Sequence, residues 1–197
     1  PARDILPAGA DRVHYSVRYT YSPQVDAEVA RNAGLFVQRI AFDRDGNKGP
    51  LELQRGDYVA VAVVVLADRA RRDVAVVDQL PAGLEPLYDA LHTTSGAALA
   101  KMGYLRARLL GDELRRMRAG SASDPGRPWE GDRADRQEFA GREVRWFVDE
   151  LPAGVHVFAY VARAAVRGAY LGRGARADAM YAPEVFGTSG PNRLTIR

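Results

Sequence analysis

The sequence has no cysteine, which excludes disulfides, thiolate metal sites and a cysteine nucleophile. It has only three histidines, His14, His92 and His156, and no His-x-His or His-x-x-x-His pair. A zinc site needs three or four converging ligands, so this supply argues against a metal centre. There is no Walker loop and no dinucleotide fingerprint, and no cofactor is expected. Long hydrophobic runs are missing too. The longest, Val59 to Ala67, is too short to cross a bilayer and reads as a buried strand. No charged segment followed by an apolar one opens the chain, so no signal peptide is visible. The chain starts at Pro1 without methionine, and the expectation is a piece of a longer polypeptide with its targeting information elsewhere. Charge of one sign is also lacking: 28 basic residues face 25 acidic ones, for a net charge of +3. A pI near 9.4 points only weakly to nucleic acid or membrane. The arginines are dispersed, so neither a nucleic-acid partner nor direct membrane insertion is expected.

What is present is a repeated turn. Leu-Pro-Ala-Gly occurs three times, each copy two residues after an aspartate: Asp4 to Gly9, Asp78 to Gly83, and Asp149 to Gly154. Proline presets φ for the second position of a type I turn, and glycine suits the fourth. Pro81, Gly83, Pro152 and Gly154 are therefore structural turn residues. The second and third copies follow the apolar runs Val74 to Val77 and Trp146 to Val148. The first and third lead into alternating stretches, Val13 to Tyr21 and Val155 to Ala162. Strand, tight turn, strand is the recurring device, and it specifies an antiparallel β protein.

The remaining segments fit that class. A chain of 197 residues, 47% hydrophobic and 27% charged, has the composition of one globular domain, or one domain plus part of a neighbour. Val13 to Tyr21 alternates as a half-buried strand, and Gln24 to Gly34 reads as a connector. Leu35 to Asp43 is a second strand, closed by a turn-rich stretch reaching Gly49. Tyr58 to Leu66 is apolar on both faces and therefore central. Asp73 to Asp78, Glu143 to Val148, Val155 to Val166, Ala169 to Leu171 and Asn192 to Arg197 complete the expected strands. Ala98, Met102, Leu105, Leu109, Leu110, Leu114 and Met117 instead follow helical spacing. A helical insertion is expected around 97–118, with Ser95 as its cap and a linker running on to Trp129. The expected fold is mostly β: an antiparallel β-sandwich with one helical excursion.

Candidate chemistry is sparse. His14 and His156 alternate with apolar neighbours and are expected on an outward face. Ser189 in Gly187-Thr-Ser-Gly190 lacks the Gly-x-Ser-x-Gly spacing of an exposed nucleophile and reads as a loop. Thr93, Thr94 and Ser95 beside His92 read as a helix cap rather than acid–base machinery. Asp78, Asp149 and Glu150 offer acid–base or calcium chemistry, but their repeated setting favours strand-end hydrogen bonding. The basic residues of the insertion, Lys101, Arg106, Arg108, Arg115, Arg116 and Arg118, set against Asp112 and Glu113, read as a solvated helix face, or as a partner-docking or membrane-surface one. No catalytic residue is assigned.

The last third carries a specific likeness. Asp149-Glu-Leu-Pro-Ala-Gly-Val-His-Val-Phe-Ala-Tyr-Val-Ala-Arg-Ala-Ala-Val-Arg-Gly168, followed by Ala177-Asp-Ala-Met-Tyr-Ala-Pro-Glu-Val-Phe-Gly187, closely resembles the C-terminal end of bacterial α2-macroglobulins. Val74 to Pro86 is similar to an earlier strand and turn of the same domain. The likeness runs from about Gly34 to the end, apart from Ala97 to Trp129. Residues 1–24 resemble the closing strand region of a preceding β domain, which leaves 34–197 as a C-terminal macroglobulin-like β-sandwich with its insertion at 97–129. The resemblance implies a non-catalytic, receptor-binding-like domain of a periplasmic protease trap, in some members anchored to the inner membrane through its N-terminus. It implies as partners the thioester domain and neighbouring macroglobulin domains of the same polypeptide, with target proteases met through the whole protein. It also implies that Met180 and Tyr181 help keep water off a buried thioester. Two rival expectations stand beside it: a stand-alone Ig-like adhesion or ligand-binding module at the cell surface, and a glycosidase-like accessory domain using Asp78 and Asp149.

Overall fold

The computed structural model describes residue 18, residues 29–87 and residues 134–197. The expected strand at 13–21 and the expected helix at 97–118 lie outside the described residues, apart from the exposed Arg18. Thirteen strands are described: β1 (Arg31–Ala33), β2 (Leu35–Phe42), β3 (Leu51–Leu53), β4 (Tyr58–Ala67), β5 (Arg71–Gln79), β6 (Leu84–Pro86), β7 (Arg136–Ala140), β8 (Glu143–Leu151), β9 (Gly154–Ala164), β10 (Gly168–Gly172), β11 (Arg176–Ala179), β12 (Ala182–Thr188) and β13 (Asn192–Ile196). They form a six-stranded sheet, β1-β12-β11-β5-β8-β7, a four-stranded sheet, β2-β4-β9-β6, and a three-stranded sheet, β10-β13-β3. All pairings are antiparallel except β13 with β3, where Leu194 lies beside Leu51 and Ile196 beside Leu53. The fold is an antiparallel β-sandwich.

Alternation places the core. Val59, Val61, Val63 and Val65 of β4 and Phe158, Tyr160 and Ala162 of β9 face Val74 and Val76 of β5 and Val144, Trp146 and Val148 of β8. Period-2 patterning puts each of these sets on a single face, as a packed sheet pair requires. The Trp146 ring lies 5.7 Å from Phe158 and 6.1 Å from Tyr160, centroid to centroid, which joins the two layers at their middle. As expected for a strand apolar on both faces, β4 is interior, paired with β2 on one side and β9 on the other.

The Leu-Pro-Ala-Gly turns are corners between the layers. The second copy carries the chain from β5 in the six-stranded sheet to β6 in the four-stranded one, and the third carries it from β8 to β9. In the second copy the Leu84 N–H donates to the Pro81 carbonyl at 2.9 Å. That bond puts proline first and glycine third in the turn, one place earlier than the sequence reading. The two glycines are needed for different reasons. A Cβ on Gly83 would sit 2.3 Å from the Tyr170 ring and 2.7 Å from Ile196, so that corner is pressed against the three-stranded sheet. Gly154 has nothing within 4 Å but a φ of +126°, a conformation open to glycine and costly for other residues.

Several strands differ from expectation. β1 lies in the stretch read as a connector, and β3, β6, β7, β11 and β12 were not anticipated. Three of these have only three residues, too few for alternation to register. β12 contains Pro183, which normally marks an edge or an irregular strand.

Candidate functional site

Two places hold side chains that stand apart from the apolar core pattern. The first is inside the sandwich. Alternation along β5 makes Asp78 the inward successor of Val74 and Val76, and alternation along β2 does the same for Arg39 after Leu35 and Val37. Asp78 is fully buried. The Arg39 Nε donates to both of its carboxylate oxygens, at 2.9 and 3.0 Å. The Tyr160 hydroxyl of β9 donates to Asp78 Oδ2 at 2.6 Å, and an Arg39 terminal nitrogen donates to that hydroxyl at 3.4 Å. One cation, one anion and one phenol thus tie the four-stranded sheet to the six-stranded one. Burial works to lower the Arg39 pKa, but the Asp78 charge and the Tyr160 bonds outweigh it, so the guanidinium is held above its ordinary value. Burial, reinforced by the Asp78 charge, pushes Tyr160 well above its ordinary value against the opposing pull of Arg39. Arg39 is thereby held charged and Tyr160 held neutral, which suits a structural clamp and not proton transfer.

This corrects the strand-end reading of Asp78. Asp149 does stay at the surface, where its N–H donates to the Asp135 carboxylate at 2.7 Å, and Glu150 pairs with Arg72 at 2.6 Å. Asp78 is inward and Asp149 is outward, so the two are not brought together as an acid–base pair. Other sequence candidates also have structural settings. His156 shares the inward parity of Phe158 and Tyr160 rather than the expected outward face, and its Nε2 meets the Pro152 carbonyl at 2.8 Å. Ser189 is buried, and its Oγ accepts from the Ala175 N–H at 2.9 Å. His14, His92, Thr93, Thr94 and Ser95 lie outside the described residues. Among the described residues, no group of three or more His, Cys, Asp or Glu is arranged to hold a metal ion.

The second place is the tip of the β11–β12 hairpin. β11 is paired on both sides, by β5 and by β12, and its Ala177 and Ala179 are buried. The next two residues are Met180 and Tyr181, which are 43% and 84% exposed. A two-residue hairpin loop usually takes a type I′ or II′ turn with glycine or asparagine at positive φ. Neither residue here has positive φ, and the register slips instead: Asp178 faces Phe186, but Ala179 faces Ala182. The base of the tip is fixed by the Met180 N–H, which donates to the Asp73 carbonyl at 2.8 Å. Asp73 has a φ of +52°, the one non-glycine residue at positive φ among those described. Below the tip, Arg176 bonds Asp178 at 2.9 Å and lies 5.9 Å from the Phe186 ring centroid. A firmly held backbone thus presents one thioether and one phenol ring to the outside. The likeness had picked out both residues, but nothing in their spacing signalled a hairpin tip.

The bacterial alpha-2-macroglobulin MG10 domain family matches residues 34–184. An alpha-2-macroglobulin homolog from Nostoc sp. is 24% identical over 200 residues, covering 96% of this chain and 9% of that protein. Among solved structures, native Escherichia coli alpha-2-macroglobulin, spanning domain MG7 to its C-terminus, gives a TM-score of 0.62 at 24% identity. That match covers 87% of this chain and 25% of the other. Trypsin-activated E. coli alpha-2-macroglobulin gives 0.63 at 25% identity, covering 87% of this chain and 11% of the other. The chain spans about a tenth of the length of the curated relative it matches. With the fold and more than half the chain in agreement, the protein belongs to the bacterial alpha-2-macroglobulin MG10 domain family.

Proposed function

We infer that this domain is a non-catalytic, C-terminal packing module of a bacterial alpha-2-macroglobulin-like protease inhibitor. Its Met180–Tyr181 tip docks on the thioester domain of the same polypeptide and helps hold the trap in its native form. The single observation that carries this reading is an 84% exposed tyrosine beside a half-exposed methionine, on a hairpin whose every neighbouring strand is paired. A flat ring and a flexible thioether fill an irregular gap and exclude water. A thioester survives only where water is excluded. The native and trypsin-activated relatives match this domain with similar TM-scores, which fits a module that keeps one fold. The clamp of Arg39, Asp78 and Tyr160 supports the same idea, since a lever must not deform. Placement in the periplasm, and contact with target proteases only through the whole inhibitor, belong to the same proposal.

The test uses the full-length parent protein. Met180→Ala or Tyr181→Ala should speed hydrolysis of the thioester by solvent, read as the appearance of a free thiol. An unchanged rate in both variants would remove the tip from that role.

A further inference from the structure

The arginines are dispersed along the sequence, but the fold gathers five of them on one surface. The three-stranded sheet buries Leu51, Leu53, Leu194 and Ile196 in the core and packs Tyr170 against it. The alternate residues, Ala169 and Leu171 of β10, Arg193 and Thr195 of β13 and Glu52 of β3, form its outer face. Leu171 faces Arg193 there, and Thr195 lies between Ala169 and Glu52. Arg167 and Arg173 flank β10 with the parity of that face, and Arg197 continues the parity of β13. Arg55 joins them because its N–H donates to the Arg197 carbonyl at 2.8 Å. All five arginines are exposed. Two carboxylates adjoin: Glu52 pairs with Arg197 at 2.8 Å, and Asp57 accepts the Gln54 N–H at 2.7 Å. Among the described residues, Arg55, Arg167 and Arg193 form no ion pair. No acidic residue occurs from Arg163 to Arg176 or from Ser189 to Arg197. By contrast, Arg72, Arg136, Arg145 and Arg176 of the six-stranded sheet are each matched by a carboxylate.

We propose that this basic face adsorbs peripherally to an anionic phospholipid surface. Its arginines do not converge on one point: Arg167 and Arg173 stand at opposite ends of β10, which spans about 17 Å at the usual rise per residue. Such a spread suits a diffuse negative surface rather than a single bound anion. The backbone beneath is firmly held. The Tyr170 hydroxyl donates to the Val166 and Arg167 carbonyls, at 3.0 Å each, and the Ala165 N–H donates to the Gly83 carbonyl at 2.8 Å. That corner leaves Val166 56% and Leu171 37% exposed among the arginines. Aliphatic side chains beside cations suit the boundary between lipid headgroups and acyl chains. A single-stranded nucleic acid would instead call for stacking rings, and the ring of this sheet, Tyr170, is turned inward.

The test is co-sedimentation of the full 197-residue chain with vesicles at low salt. Equimolar phosphatidylglycerol and phosphatidylcholine should capture it, and phosphatidylcholine alone should not. The triple variant Arg55→Gln, Arg167→Gln, Arg193→Gln should lower partitioning roughly a hundredfold, since each cation at a charged leaflet contributes roughly a factor of five. A second triple variant, Arg69→Gln, Arg72→Gln, Arg142→Gln, removes the same charge elsewhere and should lower it less than about threefold, because distant exposed charges are screened. Circular dichroism confirms that both variants fold, which surface positions allow. Failure to bind the mixed vesicles, or equal losses in the two variants, would overturn the proposal. Tighter capture by poly-glutamate or single-stranded DNA at equal charge would also overturn it, giving the face to an acidic protein or a nucleic acid.

Discussion

Asp78 and Tyr181 are both polar-capped side chains in the last two-thirds of a sandwich, and their surroundings are opposite. Asp78 is sealed between two sheets with its oxygens bonded to Arg39 and Tyr160. Tyr181 stands 84% exposed on a turn. The first is a group the domain satisfies by itself. The second is the group that the proposed function has a neighbouring domain cover. On the proposed reading the difference separates what the domain needs in order to fold from what it offers to a neighbour, and substitutions test that line.

The largest effect is expected inside. Asp78→Ala leaves the Arg39 guanidinium buried without its counter-ion and should cost about 3–5 kcal/mol of unfolding free energy, measured by urea denaturation. Replacing all three members by apolar residues (Arg39→Met, Asp78→Leu, Tyr160→Phe) should lie within about 1 kcal/mol of the native chain, or above it. A large loss in the triple variant would mean that the ionic clamp stabilises more than its desolvation costs. Next comes Gly187→Ala. A Cβ there would sit 2.0 Å from the Leu35 carbonyl oxygen, where backbone must yield, and should cost about 1–3 kcal/mol by the same measurement. At the surface, Tyr181→Ala should change stability by less than about 0.5 kcal/mol. A greater loss would place Tyr181 on the structural side of the comparison.

The smallest effect is a pH dependence. Slight burial pulls the Asp43 pKa up, but donation from the Asn47 side chain and from the N–H groups of Asn47 and Asp45 outweighs it and holds the carboxyl below its ordinary value. A depressed folded-state value gives stability that is present above the ordinary aspartate range and is lost as pH falls through the folded value. Asp43→Asn should therefore flatten the acid side of the stability–pH curve by slightly lowering stability at neutral pH, with the two chains converging as pH falls through the folded value. An unchanged acid slope would dismiss the Asp43 turn as a contributor.

Much of this architecture was legible in the residues, and the failures have physical causes. β2, β4, β5, β8 and β9 are long enough for alternation to show, and the proline-glycine corners do join the layers. Asp78 was misread because its neighbour in sequence is a turn, while its parity with Val74 and Val76 assigns it inward. The same parity argument along Leu35, Val37 and Arg39 yields its partner. Nothing comparable announces β11 and β12, where the hairpin lacks glycine or asparagine and contains Pro183. The exposure of Met180 and Tyr181 depends on how far the neighbouring strands reach, which is a tertiary property that no local pattern encodes.

The central claim is that the β11–β12 tip is an interface within a larger inhibitor. Hydroxyl-radical footprinting of the full-length parent, against the 197-residue chain alone, tests it at the two side chains concerned. Met180 and Tyr181 should be oxidised several-fold more slowly in the intact parent, with the buried Tyr160 protected in both. Equal oxidation of the tip in both proteins would contradict the account.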